Sequence, residues 1–284
     1  MPFWLGASIV FVYGAVVGSF LNVIICRLPK EQSIILPPSH CPKCKTKLKF
    51  WDLIPLFSFL VMGRKCRYCG TSVSWRYFVV ELITAVSFVG LYWRYQFTLE
   101  FFALALLSAA LIAVVFIDLE HWIIPDEISL FVLGLGVARN GIAIAMGERG
   151  AEIVQLGIPF SSVDFPIPAS IPSLLACGAA FYLIAVGSEW VFKKEAMGGG
   201  DVKLAAGIGA NLLFVPAMVS FFVAVFLGAI IGIVLLALKK KGRGDELPFG
   251  PMLVAGVFAV MLAYPQLTAG WQMWQNLITG WMGV

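Results

Sequence analysis

Long apolar runs recur along the whole chain and constrain its fold more than any other feature. They lie near residues 5–26, 77–95, 101–117, 128–146, 172–192, 216–238 and 250–266, with a shorter one at 202–214. About 20 apolar residues in a helix cross the ~30 Å hydrocarbon core of a bilayer, and a helix satisfies its own backbone hydrogen bonds there. Only 13% of the 284 residues are charged, whereas 60% are hydrophobic. The sequence therefore predicts an all-α polytopic membrane protein with about eight transmembrane helices.

Basic residues are distributed unevenly between the two sides that this topology creates. Ten Lys and Arg residues lie from position 27 to position 76, and later turns carry Lys193, Lys194, Lys203, Lys239, Lys240, Lys241 and Arg243. The opposite loops hold only Arg94 and Arg149. By the positive-inside rule the loop 27–76 faces the cytoplasm and the N-terminus lies outside. The net charge of +4 follows from this topology and gives no reason to expect a nucleic acid partner.

Four cysteines in the loop 27–76 form two CxxC knuckles. Cys41 and Cys44 make the first, and Cys66 and Cys69 make the second after a spacer of 21 residues. Each knuckle places two thiolates on one tight turn, and two knuckles complete a tetrahedral S₄ site that suits Zn²⁺. Disulfides or free thiols are the alternative, but a cytoplasmic loop disfavours disulfides. Because four thiolates leave no open coordination position, we expect a structural zinc ion in a small zinc-ribbon-like loop domain.

Glu81 lies about one turn inside the second apolar run. A carboxylate there either reaches back to the interface, pairs with Arg76, or faces a polar pocket shared with the loop. Asn22 in the first run is a weaker signal of the same kind. The residues alone leave these readings open.

Two aspartates lie at the ends of apolar runs, where a carboxylate is costly and indicates a function. Asp118 closes the run 101–117, at the end of a helix where the dipole disfavours negative charge, and Asp201 follows three glycines. Two adjacent carboxylates cannot both ionise cheaply, so a pair holds one proton. The ionised member can then activate water while the other protonates a carbonyl oxygen, as in aspartic proteases. The alternative is a proton or ion path in a transporter, which also uses intramembrane carboxylates.

Six ordered motifs give the chain a resemblance to the type IV prepilin peptidases, which are bifunctional aspartic proteases and N-methyltransferases. The motifs lie at 18–23 with 27–29, at the two CxxC knuckles, at 76–77 with 80–82, at Asp118 with 124–126, at 198–204 and at 248–251. The resemblance covers nearly the whole chain. It implies that Asp118 and Asp201 are the catalytic pair.

The resemblance also implies substrates and a second reaction. The substrates would be type IV prepilins and pseudopilins, whose short basic leader is cleaved at the cytoplasmic face just before an apolar helix. The new N-terminal amine would then be methylated with S-adenosylmethionine, and Glu81 is our candidate for a polar contact with that cofactor. No glycine-rich nucleotide-binding fingerprint appears in the sequence, which argues against a Rossmann-type methyltransferase.

The resulting domain organisation has three parts. Residues 1–26 form the first transmembrane helix, residues 27–76 a zinc-binding loop associated with methylation, and residues 77–284 a membrane-embedded aspartic peptidase domain. The proline-containing insert 147–172 lies on the periplasmic side in this scheme. A transporter would leave the zinc loop without a purpose, and a zinc-binding scaffold would leave the aspartates unexplained. The peptidase prediction accommodates both features.

Overall fold

The computed structural model describes residues 2–147, 153–157, 164–192, 197–238 and 247–263. Within these ranges the chain is mainly helical, as predicted. The α-helices are α1 (Phe3–Arg27), α2 (Phe57–Val61), α3 (Trp75–Tyr95), α4 (Leu99–His121), α5 (Asp126–Ala145), α6 (Ser170–Phe192), α7 (Gly199–Leu212), α8 (Phe214–Ala237) and α9 (Gly250–Ala263).

Six of these helices are long and apolar enough to cross a membrane, namely α1, α3, α4, α5, α6 and α8. Helices α7 and α9 are shorter, and they coincide with the predicted short run at 202–214 and with the run near 250–266. The protein is therefore a multi-pass membrane protein. Because successive long helices alternate in direction, the ends of α1, α4, α6 and α8 lie at the same end of the bundle as the starts of α3, α5, α7 and α9.

Helix boundaries follow local capping signals. The Ser74 side chain accepts a hydrogen bond from the backbone N–H of Arg76 at the start of α3, and Thr98 caps α4 in the same way. Helix α4 ends where Trp122 adopts a left-handed backbone conformation with φ of 60°. Its N–H donates to the carbonyl of Asp118, and Pro125 then precedes the acidic first turn of α5. These signals leave a tight turn beside Asp118.

The bundle core is built around α4. In the most apolar part of each helix, 72% of the residues are buried in α4 but only 17% in α8. Helices α1 and α3 pack closely because a Cβ on Gly14 would lie 2.8 Å from the Ala85 Cα and one on Gly18 would lie 2.7 Å from the Glu81 Cα. Helices α5 and α7 approach in the same way at Gly136. Close helix contact in this protein therefore depends on small residues.

A two-stranded antiparallel hairpin lies between α5 and α6, at the end of the bundle where α5 finishes. Its strands are β1 (Ile153–Gly157) and β2 (Asp164–Pro168), paired from Ile153 with Pro168 to Gly157 with Asp164. The hairpin falls inside the insert 147–172. It adds a small element to the predicted helical architecture and leaves the helical bundle unchanged.

Candidate active site and cysteine cluster

Asp118 lies in the last turn of α4 and is 6% exposed. Its Oδ2 accepts a hydrogen bond of 3.0 Å from the backbone N–H of Gly250, the first residue of α9. A Cβ on Gly250 would lie 2.7 Å from that oxygen. The N-terminal end of α9 therefore faces the carboxylate, and its dipole compensates the negative charge that the C-terminal end of α4 disfavours.

Asp201 is in the first turn of α7 and is half-buried. Its Oδ2 accepts a 3.2 Å hydrogen bond from the N–H of Gly198, so the side chain caps its own helix. Asp201 lies at the same end of the bundle as Asp118, near enough for the charge of Asp118 to act on it. The fold thus brings together two aspartates that are 83 residues apart in the sequence.

Gly200 explains how α7 reaches this position. A Cβ on Gly200 would lie 2.9 Å from the Ile124 Cβ and 3.2 Å from the Ile124 carbonyl oxygen. Only glycine lets the start of α7 approach the turn between α4 and α5 so closely. The glycine run before Asp201 therefore has a packing role at the point where the two aspartates meet.

Neighbouring carboxylates are engaged in ion pairs. Glu120 accepts from Arg76 at 2.6 Å, which joins α4 to α3, and Asp126 accepts from Lys203 at 2.7 Å, which joins α5 to α7. The Arg76 guanidinium also donates to the Cys26 thiol at 2.6 Å. The predicted alternative of a pair between Arg76 and Glu81 does not form, because Arg76 is directed to Glu120.

An apolar groove of about 230 Å³ opens beside the start of α9. It is lined by Val225, Gly228, Leu247, Pro248, Phe249 and Met252. Gly250, which binds Asp118, directly follows three of these residues in the chain. The groove therefore lies next to the residue that binds Asp118.

The four cysteines of the loop come together as the spacing predicted. Their sulfur atoms all lie within 4.8 Å of one another, and the Cys41 and Cys69 sulfurs are 3.8 Å apart. All six cysteines of the chain lie in its described part, and none forms a disulfide. Hydrogen bonds with the Thr71 hydroxyl and backbone, together with the neighbouring Cys66 and Cys44 thiols, lower the pKa of the Cys69 thiol to about 6, which favours the thiolate that a metal requires.

The two knuckles share one backbone pattern. In the first knuckle the Cys41 N–H donates to the Thr46 carbonyl, and the Lys45 N–H donates to the Cys41 carbonyl. In the second, the Cys66 N–H donates to the Thr71 carbonyl, and the Gly70 N–H donates to the Cys66 carbonyl. Each knuckle is closed by a short bridge, which pairs residue 40 with 47 in the first and 65 with 72 in the second. This repeated geometry, with four convergent thiols, fits a tetrahedral zinc site.

Asp52 holds the second knuckle to the 3₁₀ turn Phe50–Leu53. It forms a 3.3 Å ion pair with Arg67, and it accepts hydrogen bonds from the Tyr68 hydroxyl at 2.8 Å and the Lys49 N–H at 3.0 Å. Burial alone would raise the pKa of Asp52, but the Lys49 N–H, Tyr68 and Arg67 together hold it below its usual value. Asp52 is therefore an ionised anchor inside the loop.

Glu81 connects the loop to the membrane helices. It is 7% exposed, and its Oε2 accepts a 2.7 Å hydrogen bond from the backbone N–H of Leu56. Asn22 donates to the Tyr77 carbonyl at 3.1 Å, while its buried Oδ1 has no partner among the described residues. A cluster of buried polar groups thus lies between α1, α3 and the loop.

Sequence reasoning missed two functional contacts in this region. Nothing in the motif 248–251 shows that the Gly250 N–H would bind Asp118. The sequence also could not identify the Leu56 N–H as the partner of Glu81, because every residue except proline has a backbone N–H.

Comparisons with known proteins agree with this geometry. The family model described as Bacterial Peptidase A24 N-terminal domain matches residues 12–95, and that of the Type IV leader peptidase family matches residues 105–233. No solved structure matches the chain significantly.

Curated relatives from several bacteria carry the name prepilin leader peptidase/N-methyltransferase. One from Pseudomonas aeruginosa is 31% identical over 278 residues, which cover 90% of this chain and 89% of the relative. One from Bacillus subtilis is 32% identical, with 88% of this chain and 91% of the relative covered. One from Xanthomonas campestris is 32% identical, with 91% of each covered. The matches extend over both the cysteine loop and the aspartate-bearing helices, and the chain belongs to the type IV leader peptidase family.

Proposed function

We propose that this chain is a bifunctional membrane enzyme that removes the basic leader of type IV prepilins and pseudopilins and then methylates the new N-terminus. The observation that carries the peptidase activity is the convergence of Asp118 and Asp201 at one end of the bundle. The names of the curated relatives supply the substrate class and the second activity. The comparisons give no support to the alternative of a proton- or ion-coupled transporter.

Asp118 and Asp201 act as a pair that shares one proton. The ionised carboxylate takes a proton from water, the resulting hydroxide equivalent attacks the scissile carbonyl, and the protonated carboxyl donates to the carbonyl oxygen. The Gly250 N–H holds one oxygen of Asp118, and the Gly198 N–H holds one oxygen of Asp201. These two donors set the orientation of the carboxyl groups before substrate binds.

The groove beside α9 is suited to the apolar helix that follows the scissile bond. The side chains that line it are apolar, and the lining residue Phe249 directly precedes Gly250, whose N–H binds Asp118. An apolar segment seated there would place the bond that precedes it next to the carboxylates. The groove would thus supply the specificity for pilin-like substrates.

Methylation belongs to the other half of the chain. S-Adenosylmethionine supplies the methyl group, and it carries a sulfonium and an ammonium cation that need acceptors. Glu81 and the unpartnered Oδ1 of Asn22 offer such acceptors between α1, α3 and the loop. Zn²⁺ bound by Cys41, Cys44, Cys66 and Cys69 would stabilise the loop that packs against Glu81.

The expected location is the inner membrane, with the carboxylate pair facing the cytoplasm. Ten basic residues lie in the loop 27–76, at the same end of the bundle as Asp118. The positive-inside rule places that end in the cytoplasm. The basic leader of a prepilin would then be cleaved before export.

The test uses purified protein in detergent or nanodiscs with a prepilin substrate. We expect the wild type to release the leader, and Asp118→Asn and Asp201→Asn each to abolish detectable cleavage. Asp126→Asn is the matched control, since Asp126 is exposed and pairs with Lys203. Both inactive variants should still methylate a precleaved pilin. Cleavage by either variant would refute the assigned roles.

A further inference from the structure

We propose that the segment Phe50–Val61 of the cysteine loop is seated in the lipid headgroup region of the leaflet on its own side of the membrane. Its apolar face, made of Phe50, Trp51, Leu53, Phe57, Leu60 and Val61, would contact lipid. This inference rests on the membrane-spanning fold and not on the proposed activities.

The apolar face is exposed in the folded chain. Phe50 is 74% exposed, Trp51 64%, Phe57 60%, Leu60 63% and Val61 65%. Because they are exposed, these residues do not form the core of the loop. So many exposed aromatic and aliphatic side chains are costly in water. Their exposure leaves an apolar surface on the loop that needs a partner outside the described residues.

The segment is amphipathic. On α2, Phe57, Leu60 and Val61 are at positions i, i+3 and i+4 and share one side of the helix. Phe59 is directed to the other side, where it is buried between Trp75 and Phe78 with ring centroids 5.2 and 5.3 Å away. Helix α2 is therefore fixed to the first turn of α3 by one side while the apolar face points away from the protein.

The contact between Leu56 and Glu81 places the segment at membrane depth. Trp75 opens α3, and Glu81 lies six residues further along, which corresponds to about 9 Å along the helix axis. The Leu56 N–H donates directly to the Glu81 carboxylate at 2.7 Å. Interfacial segments bury their apolar side by about 5–10 Å at the boundary between headgroups and acyl chains. The segment therefore lies alongside a membrane-crossing helix at the depth of such elements.

Charge around the apolar face favours anionic lipid. Residues 27–76 contain ten Lys and Arg but only two acidic residues, Glu31 and Asp52. Lys49 adjoins the face and is exposed, and the guanidinium of Arg64 lies 5.3 Å from the centre of the Trp75 ring, at the interfacial end of α3. Basic residues beside an exposed apolar side are typical of segments that bind acidic headgroups.

A photo-crosslinking experiment on the full-length protein tests this placement. Benzoylphenylalanine replaces Leu60, and the protein is reconstituted into nanodiscs of phosphatidylglycerol and phosphatidylethanolamine. Leu82, exposed on the surface of α3, is the lipid-facing reference, and Lys47, exposed in the first knuckle, is the aqueous reference. Each labelled protein must elute as the wild type does on size exclusion. Lipid adducts are quantified by mass spectrometry after irradiation.

We expect lipid adducts at position 60 at a level comparable with position 82 and at least about fivefold above position 47, because an interfacial side chain contacts acyl chains. The same labels at Phe50 and Phe57 should behave like position 60. Adducts at position 60 no more frequent than at position 47 would overturn the proposal. So would crosslinks from position 60 mainly to a second copy of the chain or to an added prepilin, which would identify the face as a protein-binding surface.

Discussion

Replacing Gly250 with alanine should disturb Asp118 more directly than any other single methyl group. The Cβ would lie 2.7 Å from Asp118 Oδ2 and 3.2 Å from its Cγ. The backbone N–H that holds the same oxygen at 3.0 Å belongs to Gly250 itself. The new methyl group therefore pushes away the carboxylate that this residue positions.

The size of the effect follows from these contacts. Ordinary van der Waals contact begins at 3.4 Å, so the carboxylate or the start of α9 must move by about 0.7 Å. A hydrogen bond to a charged group is worth about 1.5–3 kcal/mol, and each 1.36 kcal/mol changes a rate by about tenfold. A misplacement of ~1 Å at a reacting group costs up to about 100-fold. We therefore expect kcat for leader cleavage to fall about 10- to 100-fold, from the weakened hydrogen bond and the displaced carboxylate together.

The assay compares Gly250→Ala with Gly187→Ala under identical conditions. Gly187 lies in α6, and a Cβ added there would have nothing within 4 Å, so its substitution should leave cleavage unchanged. Methylation of a precleaved pilin should stay at the wild-type level in both variants, because Gly250 binds Asp118 whereas methylation is proposed for the half of the chain that holds Glu81. A correctly folded Gly250→Ala protein that cleaves at the wild-type rate would refute the role given to this hydrogen bond.

Three further changes probe the rest of the chain. Gly228→Leu fills the groove beside Met252, so KM for an intact prepilin should rise while cleavage of a short peptide without the apolar helix stays constant. Gly187→Leu is the control, and equal effects on both substrates would contradict the groove assignment. Glu81→Gln retains an oxygen acceptor for the Leu56 N–H, so it should weaken S-adenosylmethionine binding about tenfold and leave the loop intact. Glu81→Ala removes that acceptor and should also make the loop more sensitive to proteolysis. Unchanged methylation in both variants would exclude Glu81 from the cofactor site. Because the pKa of Asp52 is held below its usual value of about 3.9, its ionised form stabilises the loop at neutral pH and this contribution is lost as the pH falls through that lowered value. Asp52→Asn should therefore accelerate proteolysis of the loop at neutral pH but not in strong acid, and equal resistance to the wild type at neutral pH would show that the anchor is unimportant.

The membrane helices and the cysteine cluster were predictable because each depends on local sequence. An apolar run of sufficient length specifies a span, and CxxC spacing brings two thiols to one turn irrespective of the remaining fold. The spans near 77–95 and 101–117 correspond to α3 and α4, and the four sulfur atoms converge as expected. The predicted role of Asp118 and Asp201 remains a prediction, although the structure brings the two side chains together.

Contacts between distant segments could not be predicted in the same way. The partner of Asp118 is a backbone N–H 132 residues away, and the partner of Glu81 is a backbone N–H 25 residues away. Backbone donors are present at almost every residue, so only the tertiary arrangement selects one. The hairpin within 147–172 was missed because four prolines obscure a strand pattern in that insert.

The ion pair between Arg76 and Glu120 has a consequence for how the chain can be divided. The two family models meet between residues 95 and 105, so each half has its own sequence signature. Arg76 belongs to the first half and Glu120 to the second, two positions after Asp118, and their 2.6 Å contact crosses the division. Helix α4 is also buried against α1 and α3. Recombining the halves of two relatives at this junction would therefore succeed only where the arginine, its carboxylate partner and the surface of α4 are exchanged as a set.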